Sequence, residues 1–454
     1  MEQTLFTAGS FILALAILIG VHEFGHFWVA RQVGVKVLRF SIGFGRPLLR
    51  WVSRRHDTEY VVAAIPLGGY VKMLDEREGH VSPQELHLAF NRQKLWKRFA
   101  VVSAGPVFNL LFAILVYWAI LVTGDTGTRP VVGSVEAGSS AAAAHFAVGD
   151  RILAVDGRET PTWESAAFAM MADAMNERAI PIRVREKDGA ETVRVLDKAA
   201  VAKLPENPAI LSKVGLEPER PVLPPAIGKL VPGEPAERAG LTTGDRIVSA
   251  NGAPVASWRQ FVEIVQKHPG KVLRLKVQRG VQDLEIDLIP HPVTDPHGEI
   301  GRIGAGPEVP KGLLDEYRTT VRLGPLEALG ASVSRTADMS FLMLRVMGRM
   351  LIGKASVDNL SGPISIAETA GKTASYGLQY FIKFLAVVSI SLGILNLMPV
   401  PVLDGGHLLY FVIEGVKGSP LSEQAQLQGQ RIGLALLAAL MTLAFYVDIS
   451  RLLG

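Results

Sequence analysis

The sequence contains no cysteine among its 454 residues. This absence excludes disulfide frameworks, thiolate zinc sites, iron–sulfur clusters and cysteine nucleophiles. Charge is also scarce, because only 20% of the residues are charged and the formal net charge is +4. With 48% hydrophobic residues, the chain is too apolar for a disordered or nucleic-acid-coating protein, and no nucleic-acid partner is expected. The length allows about two to four domains.

The hydrophobic residues are concentrated in four uncharged runs. A helix needs roughly 20 apolar residues to cross the hydrocarbon core of a bilayer. The second and third runs meet this length, the first does so by continuing to Ala30, and the fourth needs its flanking residues. Buried core helices are the alternative interpretation. The four runs are Leu5–Val21, Phe99–Thr123, Phe384–Leu403 and Ile432–Val447.

Basic residues indicate how these spans are oriented. Lysine and arginine are frequent between the first and second runs, and Lys417 and Arg431 lie between the third and fourth. Because positive loops stay in the cytoplasm, these two connections are predicted to be cytoplasmic. Both termini and the long segment between the second and third runs then lie on the opposite side of the membrane. The predicted spans cover residues 1–33, 98–124, 376–415 and 428–452.

The long outward segment contains an internal repeat with a constant offset of 95 residues. The repeat predicts two domains, at 126–220 and 221–310, each with short strands, a hairpin turn and one helix. Both copies resemble PDZ domains, which capture extended peptides by strand addition. A passive spacer is the alternative. The matching positions are Gly133 and Gly228, Gly149-Asp150-Arg151-Ile152 and Gly244-Asp245-Arg246-Ile247, Asp156-Gly157 and Asn251-Gly252, and Trp163 and Trp258.

The first run continues into His22-Glu23-Phe24-Gly25-His26, which matches the pattern H-E-x-x-H. Residues four apart share one face of a helix, so both imidazoles can bind one zinc ion. Glu23 then lies beside them as a general base toward water. Polar residues at a helix end facing the membrane interface are the alternative. Ionisable groups in a membrane run are costly, however, and mark function.

A hydrolytic zinc site needs a third protein ligand. Asp404 ends the uncharged third run at the cytoplasmic level that His22 and His26 also occupy. It is therefore the preferred candidate, although an interfacial carboxylate without a metal is possible. A glutamate near Glu414 is the alternative third ligand.

Two prolines interrupt the third span just before Asp404. Pro399 and Pro401 must break the helix. Broken helices at membrane depth are tolerated where the backbone is buried or lines a cavity, as an active site reaching water would require. Asn396 could hold a substrate strand or an oxyanion with its amide, or it could only cap the broken helix.

H-E-x-x-H in the first span, N-x-x-P-x-P-x-L-D-G in the third and the tandem repeat between them resemble the site-two protease family of intramembrane zinc metalloproteases. The resemblance covers essentially the whole chain and is strongest to bacterial members that regulate a sigma-E stress response. It implies a polytopic α-helical protein of the bacterial inner membrane, with four transmembrane helices, a membrane re-entrant β-element and two PDZ-like α+β domains. The termini and the PDZ-like domains would be periplasmic.

The same resemblance implies roles for individual residues. His22, His26 and Asp404 would bind Zn²⁺, and Glu23 would be the catalytic base. Asn396 and Pro399 would position the substrate.

Two further segments acquire an expected role from the resemblance. The cytoplasmic region 34–97 would carry the re-entrant β-element, whose edge offers hydrogen bonds to an unwound substrate, with Gly43, Phe44 and Gly45 as substrate-binding residues. An ordinary cytoplasmic hairpin is the alternative. The region 311–375 is predicted to be amphipathic and interfacial, because three arginines and Asp338 in the helix expected at 326–352 argue against a fifth span.

These observations favour an intramembrane zinc endopeptidase that cleaves single-span membrane proteins in the lipid bilayer. The resemblance implies an anti-sigma factor as substrate, cut after an earlier periplasmic cleavage, with remnant signal peptides as a second class. The PDZ-like pair would exclude substrates whose outer domain is still large. Two alternatives stay open: a membrane zincin with a glutamate third ligand, and a non-catalytic scaffold that gathers partners through its PDZ-like domains.

Overall fold

The computed structural model describes residues 2–54, 57–202, 204, 209–295, 298–310, 312–353 and 362–453. Residues 311 and 354–361 of the predicted interfacial region therefore lie outside the described residues. The chain divides into two compact units, one formed by residues 1–125 with 321–453 and the other by residues 126–320.

The first unit begins with two long helices that flank a β-hairpin. Where the helices cross, Gly25 allows close approach, because a Cβ there would lie 2.5 Å from the carbonyl oxygen of Ala104. Small residues at such crossings are typical of membrane helices. The elements are α1 Glu2–Gln32, β1 Val37–Val52, β2 Glu59–Met73 and α2 Leu95–Thr123.

The hairpin is bent into four short segments. Residues 37–42 pair with both 69–73 and 59–62, while residues 47–52 pair with 59–63. The bend falls at Gly43 and Gly45, whose φ angles of 93° and 87° are in the region that favours glycine. Segment 47–52 exposes apolar side chains, namely Leu48, Leu49, Trp51 and Val52.

The second unit is built from short strands and helices. Its helices are α3 Ser140–Ala143, α4 Trp163–Ala174, α5 Lys198–Val201, α6 Ile210–Val214, α7 Pro235–Arg238 and α8 Trp258–Gln266. Its strands are β3 Asp125–Thr128, β4 Val132–Val135, β5 Arg151–Val155, β6 Arg158–Glu159, β7 Ile180–Arg185, β8 Glu191–Leu196, β9 Leu216–Pro218, β10 Ile227–Leu230, β11 Arg246–Ala250, β12 Ala253–Pro254, β13 Leu273–Arg279, β14 Gln282–Leu288, β15 His291–Asp295, β16 Gly298–Arg302, β17 Ala305–Pro307 and β18 Arg318–Val321.

The two copies expected from the 95-residue offset have the same architecture. Each has a four-stranded sheet, in the order β6-β5-β7-β8 or β12-β11-β13-β14, and a two-stranded sheet, β4-β9 or β10-β17. Gly133 and Gly228 have the same role in the two copies. A Cβ at Gly133 or Gly228 would lie 2.6 or 2.2 Å from a carbonyl oxygen of the partner segment, at Pro218 or Pro307. Their absence of a side chain therefore lets the two strands pair closely.

The copies differ beside their long helix. In the first copy α6 packs on α4 and buries Ile210, Leu211 and Val214 completely in the core. In the second copy the corresponding stretch of chain is the extended strand β16. A groove of about 530 Å³ lies there, between α8 and residues 300–306.

The first unit is completed by five helices that follow the repeat. They are α9 Pro325–Leu351, α10 Pro363–Tyr376, α11 Leu378–Leu397, α12 Asp404–Lys417 and α13 Glu423–Leu453. Within the described residues, four helices are long and apolar enough to cross a membrane: α1, α2, α11 and α13. Each of the four predicted spans overlaps one of them, and α2 and α13 begin three and five residues before the predicted spans. Helix α9, the predicted interfacial helix, is not among the four.

Helix α9 packs on α2 through its small residues and methionines. Ala328, Ser332 and Thr336 are buried, whereas the apolar side chains of Leu329 and Phe341 are exposed. These exposed side chains give α9 an apolar face, and its position at the membrane interface stays a prediction. Its arginines do not all face water, since the Arg335 guanidinium bonds to Asp125 at 3.0 Å.

Helix α13 is attached to α10 by a buried carboxylate. Asp448 accepts hydrogen bonds from the backbone N–H groups of Gly362, Ile364 and Ser365. These are the unpaired donors of the first turn of α10, so a side chain from another helix provides its N-terminal cap.

Candidate active site and metal centre

Helix α1 places His22 and His26 one turn apart on the same side. Their imidazole rings meet edge to face with centroids 4.8 Å apart, and the two Nε2 atoms are 3.2 Å apart. Helix α2 leaves room for them at Gly105, where a Cβ would lie 2.3 Å from Nε2 of His26. Both ring nitrogens therefore point to one location.

Asp404 reaches the same location from α12. Its Oδ2 lies 3.1 Å from Nε2 of His22 and 3.5 Å from Nε2 of His26. The helix break expected from the two prolines is present, because α11 ends at Leu397 and α12 begins at Asp404. The connecting loop folds over the start of α12, where a Cβ at Gly405 would lie 2.2 Å from the carbonyl oxygen of Met398.

The loop before Asp404 carries backbone strain. Val402 has a φ of 112°, a conformation that β-branched residues rarely adopt. Such strain persists only where the surroundings impose it, and it is frequent at active sites.

The three donor atoms fit a zinc ion. Zinc bound tetrahedrally at about 2.0–2.2 Å places its ligand atoms about 3.3–3.6 Å apart, close to the separations of 3.1–3.5 Å between these atoms. Oδ2 of Asp404 is buried, and its near polar neighbours are the Nε2 atoms of the two histidines. Two imidazole nitrogens and a carboxylate oxygen are the donor set of catalytic zinc, so the residues suit that metal.

The Nδ1 atoms of both imidazoles, which point away from the proposed metal position, also have polar partners. Nδ1 of His26 donates to the carbonyl oxygen of Val101 at 2.8 Å, which leaves the Nε2 lone pair for a metal. Nδ1 of His22 lies 3.1 Å from the amide nitrogen of Asn109, a completely buried residue of α2. Each ring is thus oriented by a group on the neighbouring helix.

Glu23 lies close enough to His22, His26 and Asp404 to interact electrostatically with each of them. The hairpin passes beside it, since a Cβ at Gly69 would lie 2.9 Å from Cγ of Glu23. The arrangement brings together a carboxylate, three side chains suited to a metal ion and an adjacent strand, which is the set of groups that a metal-dependent peptidase requires.

The model of peptidase family M50 matches residues 10–440. The chain belongs to this family. It is a zinc metalloprotease of the site-two type.

Full-length relatives agree with this assignment. Regulator of sigma-E protease RseP of Escherichia coli K12 is 44% identical over 454 residues, which cover 100% of each chain. Protease RseP of Yersinia pestis is 44% identical over 455 residues, and a Vibrio cholerae protein named "Putative zinc metalloprotease" is 42% identical over 455, again with 100% of each chain covered.

A solved structure of the PDZ domain of the SdrC-like protein from Listeria monocytogenes also matches, at 20% identity over 18% of this chain and 84% of that one. Its TM-score is 0.16, so the likeness of the repeat to PDZ domains stays a prediction.

The predicted substrate-binding residues of this M50 peptidase lie in two places. Gly43, Phe44 and Gly45 form the hairpin bend, where the Phe44 ring stacks on Tyr70 with centroids 6.2 Å apart. Asn396 is half-buried in the last turn of α11, and its amide makes no hydrogen bond within the described residues. It therefore does not cap the broken helix. Pro399 is exposed in the following loop.

The alternative third ligand lies outside the cluster. Glu414 makes a two-pronged hydrogen-bonded ion pair with the guanidinium of Arg98. Among the residues that the structure describes, His22, His26 and Asp404 form the group suited to a metal ion.

The sequence did not identify Gly69, Gly105 and Asn109 as parts of the site. A weak signal existed for two of them. The stretch Ser103–Asn109 combines small residues with an amide inside an apolar span, which predicts close helix contact but no specific partner.

Proposed function

We propose that this M50 peptidase cleaves the transmembrane segments of single-span proteins in the bacterial inner membrane. His22, His26 and Asp404 hold Zn²⁺, and Glu23 is the catalytic base. The observation that carries this proposal is the convergence of three donor atoms at 3.1–3.5 Å beside helices able to cross a membrane. Zinc, when bound, supplies positive charge that polarises the attacking water and the scissile carbonyl.

The protein groups move the proton. Glu23 takes a proton from the attacking water and passes it to the leaving amine. Val101 fixes His26 through Nδ1, so that ring does not need to reorient during the reaction. The Cβ-free face of Gly105 keeps α2 against both imidazoles and leaves no room for additional water at that side.

Hairpin segment 69–73 is the edge that we propose for substrate binding. A transmembrane helix hides its peptide groups in intrahelical hydrogen bonds, so it must unwind before cleavage. In the described structure this segment pairs with residues 37–42 along one side, and Gly69 lies beside Glu23. A substrate strand added along the other side would bring its carbonyl groups close to the base. The free amide of Asn396 is the second proposed contact.

The substrate class follows from the relatives. The Escherichia coli relative is named "Regulator of sigma-E protease RseP", and its identity extends over the full length of both chains. We therefore propose an anti-sigma factor, already shortened by a periplasmic cut, as the physiological substrate, with remnant signal peptides as a second class. The outward repeat would select shortened substrates. Its second copy has the open groove beside α8.

Three variants test the catalytic proposal in proteoliposomes that contain a single-span reporter. Glu23→Gln should retain one zinc per chain and lose cleavage by about 10²- to 10⁴-fold, because only the base is removed. Asp404→Ala should lose both zinc and cleavage. Glu414→Gln is the matched control, and it should keep zinc because Glu414 bonds to Arg98.

The alternatives predict different outcomes. Full zinc retention in Asp404→Ala, combined with loss in Glu414→Gln, would establish the glutamate-ligand zincin. Unchanged biological output of Glu23→Gln would favour the non-catalytic scaffold.

A further inference from the structure

Asn109 is a buried amide whose position at His22 has a chemical consequence. The residue is 0% exposed, and its Nδ2 lies 3.1 Å from Nδ1 of His22. Its Oδ1 is buried and has no hydrogen-bond partner in the described structure. Burying an amide with an unused acceptor is unfavourable, so a second use for this oxygen would account for the arrangement.

A backbone carbonyl group contacts Nδ1 of His26, whereas a side-chain amide contacts Nδ1 of His22. A neutral imidazole carries one proton, so a metal ligand at Nε2 must carry its proton at Nδ1. The carbonyl oxygen of Val101 can only accept, and it therefore fixes His26 in that tautomer permanently. An amide offers a donor and an acceptor, so Asn109 can serve either tautomer of His22.

The observed contacts describe one of these two tautomers. With its amide nitrogen toward His22, Asn109 donates to an unprotonated Nδ1. The proton then resides on Nε2, which faces Oδ2 of Asp404 at 3.1 Å. A half-turn of the amide places Oδ1 on Nδ1, and the Nε2 lone pair becomes free for a metal.

The backbone of Asn109 is held while its amide turns. Its carbonyl oxygen accepts a hydrogen bond from the buried Ser389 hydroxyl of α11 at 2.8 Å. Gly393 lies against the same place, since a Cβ there would be 3.4 Å from Cβ of Asn109. The contacts with α11 therefore fix the residue without using the amide.

We propose that Asn109 is a positioning residue that sets the His22 tautomer, donating to Nδ1 when the ring proton is on Nε2 and accepting from Nδ1–H when Nε2 holds the metal. The proposal rests on the assignment of His22 as a zinc ligand under the proposed function. It requires no contact between Asn109 and either metal or substrate.

The first test measures the zinc dissociation constant by chelator competition, on full-length protein in the inactive Glu23→Gln background. Asn109→Leu should bind zinc about 10- to 100-fold more weakly, because the ring loses its orienting partner. Asn109→Asp should bind within about threefold of the parent or more tightly, because a carboxylate accepts from Nδ1–H. Ser389→Ala is the matched control and should leave the constant unchanged, since it removes only the backbone contact.

The second test reads the tautomer directly by ¹⁵N-histidine NMR of the metal-stripped protein. His22 should carry its proton on Nε2 in the parent and on Nδ1 in Asn109→Asp. A purely structural role for Asn109 would leave the tautomer unchanged. This measurement also decides the question if Asn109→Leu fails to fold.

The outcomes separate this inference from the proposed function. Retention of zinc by His22→Ala would overturn the ligand assignment and this inference with it. Loss of zinc by His22→Ala together with parental zinc affinity in Asn109→Leu would overturn only the role of Asn109, as would equal losses in Asn109→Leu and Ser389→Ala.

Discussion

At the scale of single residues, the site depends on missing side chains as much as on donor atoms. Gly25, Gly69 and Gly105 each stand where a Cβ would lie within 3.0 Å of a neighbouring group. These contacts bring α1, α2 and the hairpin together around Glu23 and the two imidazoles. A metal site needs its ligands held within a few tenths of an ångström, and close helix packing supplies that rigidity.

Gly105→Ala should therefore weaken zinc binding by about tenfold or more and reduce cleavage in parallel. The added Cβ would lie 2.3 Å from Nε2 of His26, so either that imidazole or helix α2 must move. Zinc per chain, zinc affinity and reporter cleavage measure the effect. Gly9→Ala on α1 is the control, because nothing lies within 4 Å of its Cβ and alanine favours helix. Parental zinc affinity in Gly105→Ala would mean that the imidazoles tolerate displacement.

The same residues explain what the sequence could predict about the site. His22, Glu23, His26 and Asp404 belong to spaced motifs, so local periodicity and the need for a third ligand identified them. Asn109 and Gly105 become part of the site only because α2 crosses α1 at that height. No pattern within α2 specifies its partner, so their roles could not be obtained from sequence alone.

At the scale of elements, the residues that restrict the backbone directly, such as proline and glycine, allowed more accurate predictions than tertiary contacts did. Pro399 and Pro401 predicted the break between α11 and α12, because proline removes a helix hydrogen bond. The hairpin turns Asp156-Gly157 and Asn251-Gly252 have positive φ angles, as their residue types predict. By contrast, residues 37–42 pair with one strand segment on each side, 69–73 and 59–62. No local sequence pattern predicts this arrangement, because it depends on tertiary contacts.

The difference between the two outward copies predicts which one binds a peptide. Val231 lines the groove beside α8 and is 49% exposed, so Val231→Asp should fold normally. An apolar peptide bound in the groove would have to cover the new carboxylate, so strand addition should weaken by about tenfold. Fluorescence anisotropy of a labelled peptide on the full chain measures this. Val281→Asp, in the same copy but 98% exposed and outside the groove, should bind as the parent does. Equal binding by both variants would place the peptide elsewhere.

At the scale of the whole molecule, four candidate spans and the distribution of basic residues give one orientation. The apolar fraction of the chain combines four helices able to cross a membrane with a second unit that has its own apolar cores. The small net charge of +4 then reflects a local excess on the connections predicted to be cytoplasmic and carries no information about a binding partner. Helix length and charge distribution suffice to predict the spans and their orientation. The packing of α9 on α2 could be seen only in the structure.

The absence of cysteine makes the orientation directly testable, because a single introduced thiol has no background. Gln84→Cys and Ser419→Cys should react with a membrane-impermeant maleimide only after the inner membrane is permeabilised, since both lie on connections predicted to be cytoplasmic. Thr4→Cys and Val281→Cys should react in intact spheroplasts. All four positions are exposed in the structure, so a difference in labelling reports sidedness and not burial. Labelling of Gln84→Cys from outside would show that the orientation is opposite to the predicted one. It would then place the proposed site at the periplasmic face, where a preceding periplasmic cut would no longer be needed to admit the substrate.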